Sequence, residues 1–251
     1  MDQTLPLALP PDDAELEIVA LAVRYRRANG PVMRLVNRLG GSLESNFALV
    51  PDALRHEIEA AVARALHLAY GLAGRAPDLG RGGPLAAVMA SGAAGGAGGL
   101  ATTLAELPVT VTVILTAIQR AAREAGFDPD DPWVRDECLR VFGQGSPLAA
   151  DDGIDTSLFA ARLTIGGAAL HGLIAKIAPK LAAVLGQKLA AQAVPILGAV
   201  SGAALNAVFL RYFREMAHVR FSLVRLAATH GAEPVLAAFQ KAAAPGRILR
   251  A

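Results

Sequence analysis

The sequence predicts an all-α protein, a single multi-helix bundle with two glycine-rich, tightly packed, apolar hairpin-like regions. Three observations predict it. Apolar residues recur at helical spacing, as Val32, Leu35, Val36 and Leu39 do at i, i+3, i+4 and i+7. Proline and glycine divide the chain into segments of helix length. Two stretches of 22 residues, Pro84 to Ala105 and Leu189 to Leu210, hold no charged side chain and carry small residues four apart, a spacing that lets helix backbones approach closely.

The elements follow in order. Asp12 and Asp13 cap a first helix from about Ala14 to Asn29, with Glu15 and Glu17 in its first turn to complement the positive end of the helix dipole. Pro31 suits the first turn of a second helix that stops at Gly40 and Gly41. Pro51 opens a third, reaching Ala73, whose apolar stripe contains Leu54, Ile58, Val62, Leu66 and Ala69. The turn-rich connector Arg75 to Pro84 separates these conventional helices from the unusual ones. The expected organisation is residues 1–50 as N-terminal basic amphipathic helices and 51–245 as one all-helical domain.

In the first charge-free run Ser91, Gly95, Gly99 and Thr103 fall four apart, as do Gly92 and Gly96. Each glycine weakens an isolated helix by about 1 kcal/mol relative to alanine, so close packing or a membrane must hold the run if it is regular helix; a glycine-rich loop is the alternative. Pro108 predicts a break or a new first turn, followed by a helix from Val109 to Ala125 that ends at Gly126. A short helix then runs through Phe142, carrying Trp133 and Cys138. Thr156 to Ala175 forms the next apolar helix. The second charge-free run, interrupted by Pro195, continues through Arg211, Arg214 and Arg220 to Thr229, and a last helix follows Pro234. Fully helical, that run would measure about 33 Å, long enough to cross a bilayer core, but Pro195, Gln192 and Asn206 favour a hairpin inserted part-way or buried in protein.

Composition bounds the function. Hydrophobic residues make up 53% of the 251, aromatics 5%, and the mean hydropathy is +0.40. With 24 basic and 22 acidic residues the chain is too charged for a polytopic membrane protein of this length, which points to surface attachment or partial insertion. A net charge of +2 lacks the basic excess of a nucleic-acid binder, so no nucleic-acid partner is expected. The single cysteine, Cys138, suits a reducing, cytoplasmic setting, and the N-terminus has no basic and apolar signal-peptide pattern.

Glu106 is the sole charge between Arg81 and Arg120. A carboxylate in that setting must find donors or take up a proton. Thr110 stands one turn on, and Asn206 is a polar residue near the end of the second charge-free run, so the two join Glu106 as a candidate ligand or structural polar site. His218 joins the set through its i, i+3 spacing from Glu215; no second such pair appears, so no metal site is expected. The five arginines Arg24, Arg26, Arg27, Arg34 and Arg38 are the only formal charges between Glu17 and Glu44. On one face they would meet anionic lipid headgroups; otherwise they are solvated or pair with acidic residues elsewhere in the fold. No GxSxG elbow, Rossmann fingerprint or Walker loop occurs, so no catalytic residue and no cofactor is expected.

One further signal is the order of four segments. A glycine-rich apolar run leads to Glu106-Leu-Pro-Val-Thr. It is followed by Ile118-Gln-Arg-Ala-Ala-Arg-Glu-Ala-Gly, by Glu137-Cys-Leu-Arg-Val-Phe, and by Val194-Pro-Ile-Leu-Gly-Ala-Val-Ser-Gly-Ala-Ala-Leu-Asn206. From about residue 50 to 240 this order resembles the EcsC family of bacterial proteins, named for a gene beside an ABC-transporter operon. The resemblance implies an all-α fold and carries no active site over. Residues and resemblance together lead to the expectation of a membrane-associated, non-enzymatic protein, peripheral or partly inserted at the cytoplasmic side of the inner membrane, accessory to transport or envelope processes. Its expected partner is the lipid surface, with self-association through the glycine faces as a further option. The alternative is a soluble helical domain with a buried lipid or small-ligand pocket, an enzyme if Glu106 acts there.

Overall fold

The computed structural model describes residues 13–31, 33, 52–72, 82–97, 99–143 and 195–244, which form seven helices and, among the described residues, no strand. They are α1 (Asp13–Ala28), α2 (Asp52–Leu72), α3 (Gly83–Ala97), α4 (Gly99–Glu124), α5 (Pro132–Gly143), α6 (Pro195–His230) and α7 (Ala232–Ala243). The predicted helices over Pro31 to Leu39 and Thr156 to Ala175 lie outside the described residues, apart from Pro31 and Met33 at the start of the former.

Helix α6, 36 residues and about 54 Å long, is the spine against which α1, α3, α4, α5 and α7 pack. Its central side chains Leu210, Phe213, Ala217 and Phe221 join Val62 and Leu66 of α2, Ile114, Leu115 and Ile118 of α4 and Leu139 and Phe142 of α5 in the main core. The rings of Phe142 and Phe213 stack there at 4.9 Å between centroids. The second core lies further along α6, where Val219, Leu223 and Leu226 meet Ile18 and Leu21 of α1 and Val235, Leu236 and Phe239 of α7.

Local chemistry explains the boundaries. Helix α1 has Asp13 and Glu15 in its first turn and Arg26 and Arg27 in its last, matching both ends of its dipole. At the end of α4 the Phe127 amide donates to the Ala122 carbonyl and the Gly126 amide to that of Arg123, with Gly126 at φ +89°. This is the left-handed glycine stop that the sequence predicts at Gly126. Five residues after Gly126, the Asp131 carboxylate accepts from the Trp133 amide at 2.8 Å and caps α5, whose first residue is Pro132. Phe127 is held between Trp133 and Phe221, which seats this connector on the spine.

One expectation about a proline changes. Pro108 does not break the first apolar region, because it lies inside α4; the interruption falls between Ala97 and Gly99. An interior proline costs a helix about 3 kcal/mol. The helix continues because Glu106, Thr110 and Val111 on either side of Pro108 are buried against the neighbouring helices. The Thr112 hydroxyl also donates to the Pro108 carbonyl at 2.6 Å. Pro195 in turn stands at the first position of α6, where a missing amide hydrogen is harmless.

The run over α3 is regular helix, and close packing holds it. A Cβ added at Gly92 would lie 2.4 Å from the Gly202 carbonyl oxygen of α6, so the two backbones touch. Contacts of residue 95 with 102 and 106, and of 91 with 106 and 110, show α3 and α4 to be an antiparallel hairpin. The pairs 88 with 206 and 92 with 202 run α3 antiparallel to α6 as well.

Candidate functional site: a buried polar chain across three helices

The room for a carboxylate in this hairpin is made by a missing side chain. A Cβ at Gly95 would lie 2.5 Å from Cδ of Glu106, so the glutamate fills the space glycine leaves and is only 7% exposed. One turn earlier on α3, the Ser91 hydroxyl donates to Glu106 Oε2 at 3.1 Å. The same Ser91 Oγ lies 2.7 Å from Thr110 Oγ1. Asn206 of α6, 2% exposed, donates from Nδ2 to Thr110 Oγ1 at 3.1 Å and to the Val88 carbonyl at 3.0 Å.

The polarity of this chain can be derived. Ser91 has one proton, and it goes to Glu106, so Thr110 must donate to Ser91. Thr110 is then the acceptor for Asn206. Every donor thus points the same way, from the α6 amide through two hydroxyls to the α4 carboxylate. Such a run satisfies polar groups that would each be costly if buried alone, and it fixes the register of three helices where they meet through small side chains.

The structure therefore brings together Glu106, Thr110 and Asn206 of the four expected polar residues. His218 stands apart, twelve residues beyond Asn206 and about 18 Å along α6. Its Nε2 lies 3.4 Å from Glu124 Oε2, and burial, with Arg24 nearby, lowers its pKa below 6.5. Glu215, the other half of the i, i+3 pair, is bound to Arg24 at 3.3 Å and Arg214 at 3.4 Å. Among the described residues no three His, Cys, Asp or Glu side chains gather as a metal site would need. Cys138 is buried, and desolvation pushes its thiol up to about 12, far from a nucleophile's range.

The three described arginines of α1 are all exposed; Arg24 also pairs with Glu215 and Arg26 donates to the Ala242 carbonyl. Arg34 and Arg38 lie outside the described residues. Ser91 belongs to the site but was legible in sequence only as a small residue in the four-spaced series. Nothing in the sequence singled out the buried pair of Arg220 and Glu137, 2.5 Å apart.

Two surface features lie close to the polar chain. On α3 the exposed residues Ala86, Met89, Ala90, Ala94 and Ala97 form one outward stripe, and on α4 Thr102, Ala105 and Val109 extend it. Both stripes are without charge. Where α4 meets α2, a groove of about 550 Å³ is lined by Ala61, Ala65, Leu68, Ala105 and Pro108, with Glu57 and Arg64 on its rim. No helix among the described residues is long and apolar enough to cross a membrane.

Among known proteins, no curated sequence and no solved structure matches the chain. The model of the EcsC protein family matches residues 84–226. That span holds every residue of the polar chain, from Val88 to Asn206, and leaves α1, α2 and α7 outside. It covers more than half of the sequence, within the stretch where the order of motifs suggested the resemblance. The chain belongs to the EcsC protein family.

Proposed function

We propose that the protein binds the cytoplasmic face of a membrane as a partly inserted, non-enzymatic helical protein, with the outer face of the α3–α4 hairpin as the lipid-facing surface. The observation that supports it is the charge-free exposed stripe running from Ala86 through Met89 and Ala94 to Val109, with Met89 at 41% and Val109 at 50% exposure. A contiguous apolar surface of this kind marks an interaction site. The occupant is argued from the border. The first charge beyond the apolar part of α6 is Arg211, and the first beyond that of α4 is Arg120; both are exposed cations suited to headgroup level. The 15-residue α3, about 22 Å long, is too short to span a core of about 30 Å, which favours dipping over crossing. The hairpin supports this reading better than the α1 arginines, two of which are engaged within the protein.

Flotation of the full chain with vesicles of phosphatidylethanolamine and phosphatidylglycerol tests the proposal. The protein is expected to float, and Ala94→Glu, at an exposed position that leaves the core untouched, to lower partitioning by about tenfold or more. Recovery of the parent protein in the lipid-free fraction, or equal flotation of A94E, would refute it; a dimer in light scattering that A94E dissolves would reassign the face to self-association.

A further inference from the structure

The groove between α2 and α4 has a feature the charge-free face lacks: a pair of opposite charges with no ion-pair partner among the described residues. Its apolar lining is Ala61, Ala65 and Leu68 from α2 and Ala105 and Pro108 from α4. Small side chains on both helices leave the trough open, and Leu68, 51% exposed, forms part of its wall. Its volume falls in the range of small-ligand sites. Glu57 and Arg64 stand seven residues apart on the groove side of α2, about 10 Å along the axis. Both are exposed, and neither has an ion-pair partner among the described residues. One edge of the trough, Ala105, is also part of the charge-free stripe, so the groove opens where apolar surface meets charged surface.

Apolar floor, cation and anion together define the chemistry that would fit. A purely anionic head would meet Glu57, and an uncharged chain would leave both rim charges unused. We propose that this groove binds one zwitterionic single-chain amphiphile of the phosphoethanolamine type. The phosphate is held by the Arg64 guanidinium, the ammonium by the Glu57 carboxylate, and the acyl chain lies over Ala61, Leu68, Ala105 and Pro108. Arg64 suits the phosphate because its planar donors match phosphate oxygens. The site rests on the membrane reading above in one respect: the bilayer supplies the ligand. The contacts themselves need no bilayer.

Isothermal titration of the full chain, with monomeric ligands below their micellar concentration, tests it. Short-chain lysophosphatidylethanolamine is expected to bind one to one, about tenfold or more tighter than soluble phosphoethanolamine, which lacks the chain, and than lysophosphatidylglycerol, which lacks the ammonium. Arg64→Ala and Glu57→Gln should each weaken it about tenfold. Ala61→Trp, on α2 and outside the charge-free stripe, should fill the trough and abolish binding while leaving vesicle flotation intact. A94E should do the reverse, losing flotation and keeping the groove. No binding of the lysolipid, equal binding of all three ligands, or indifference to both rim variants would overturn the groove proposal. Failure of the parent protein to float while the lysolipid still binds would overturn only the membrane reading.

Discussion

At the scale of single residues, the ionisable groups inside the fold but outside the polar chain include one enclosed pair and one pH-sensitive histidine. Glu137 and Arg220 are both nearly inaccessible, at 7% and 6% side-chain exposure, with Arg140 at 3.9 Å as a further partner of Glu137. Removing one member of such a pair strands the other. Glu137→Leu should cost about 3–5 kcal/mol, whereas Glu137→Leu with Arg220→Met should recover most of that loss. Urea unfolding of the three proteins checks this, and additive losses in the double variant would contradict it. His218 gives a dependence on pH. Burial and Arg24 lower its folded pKa, against the opposing pull of Glu124. The unfolded chain then binds more protons below its own pKa of 6.5, so stability is full above that value and falls as the pH drops towards the folded pKa. The Tm should decline on going from about pH 7.5 to pH 5.5, and His218→Gln should flatten the slope. An unchanged slope would place the titration elsewhere.

At the scale of elements, the tightest constraint is the contact of α3 with α6. Gly92→Ala would set a methyl 2.4 Å from the Gly202 carbonyl oxygen, a backbone atom that cannot turn aside, so the helices must separate. A loss of about 1–3 kcal/mol is expected, with uncoupling of Asn206 from Val88 in the same step. Thermal unfolding of Gly92→Ala, beside Ala94→Glu as an exposed control on the same helix, measures it. Helix existence was legible here because small-residue spacing, end residues and apolar period agreed; the glycine stop at Gly126 is a local code that tertiary contacts do not override. Pro108 was not legible, because its effect depends on what Glu106 and Thr110 touch in other helices. The polar chain was legible by half. Glu106 and Asn206 stand out as polar residues in charge-free runs, but nothing local says that Ser91 lies between Glu106 and Thr110, since that follows from the register of the hairpin.

At the scale of the whole molecule, the all-helical bundle was readable because composition and period acted together over the entire length. The engagement of Arg24 and Arg26 was not, since their partners Glu215 and Ala242 lie some 190 and 216 residues on in the sequence. The same distance gives one more expectation. Ile18 and Tyr25 of α1 find their cover in α6 and α7, with Tyr25 edge-on to Phe239 at 5.7 Å. Ending the chain before Ala232 should leave α1 open to protease while the α3–α4–α6 contacts persist, which limited proteolysis with mass mapping would show. Equal protection of α1 in both chains would mean that α6 alone holds it. The meeting of α1 with α7 therefore sets a timetable. During synthesis α1 leaves the ribosome about two hundred residues ahead of α7, and the part of its apolar side that α7 covers stays open over that interval. Over that interval the nascent chain carries an open hydrophobic helix, a target for chaperones and for any lipid surface it meets first.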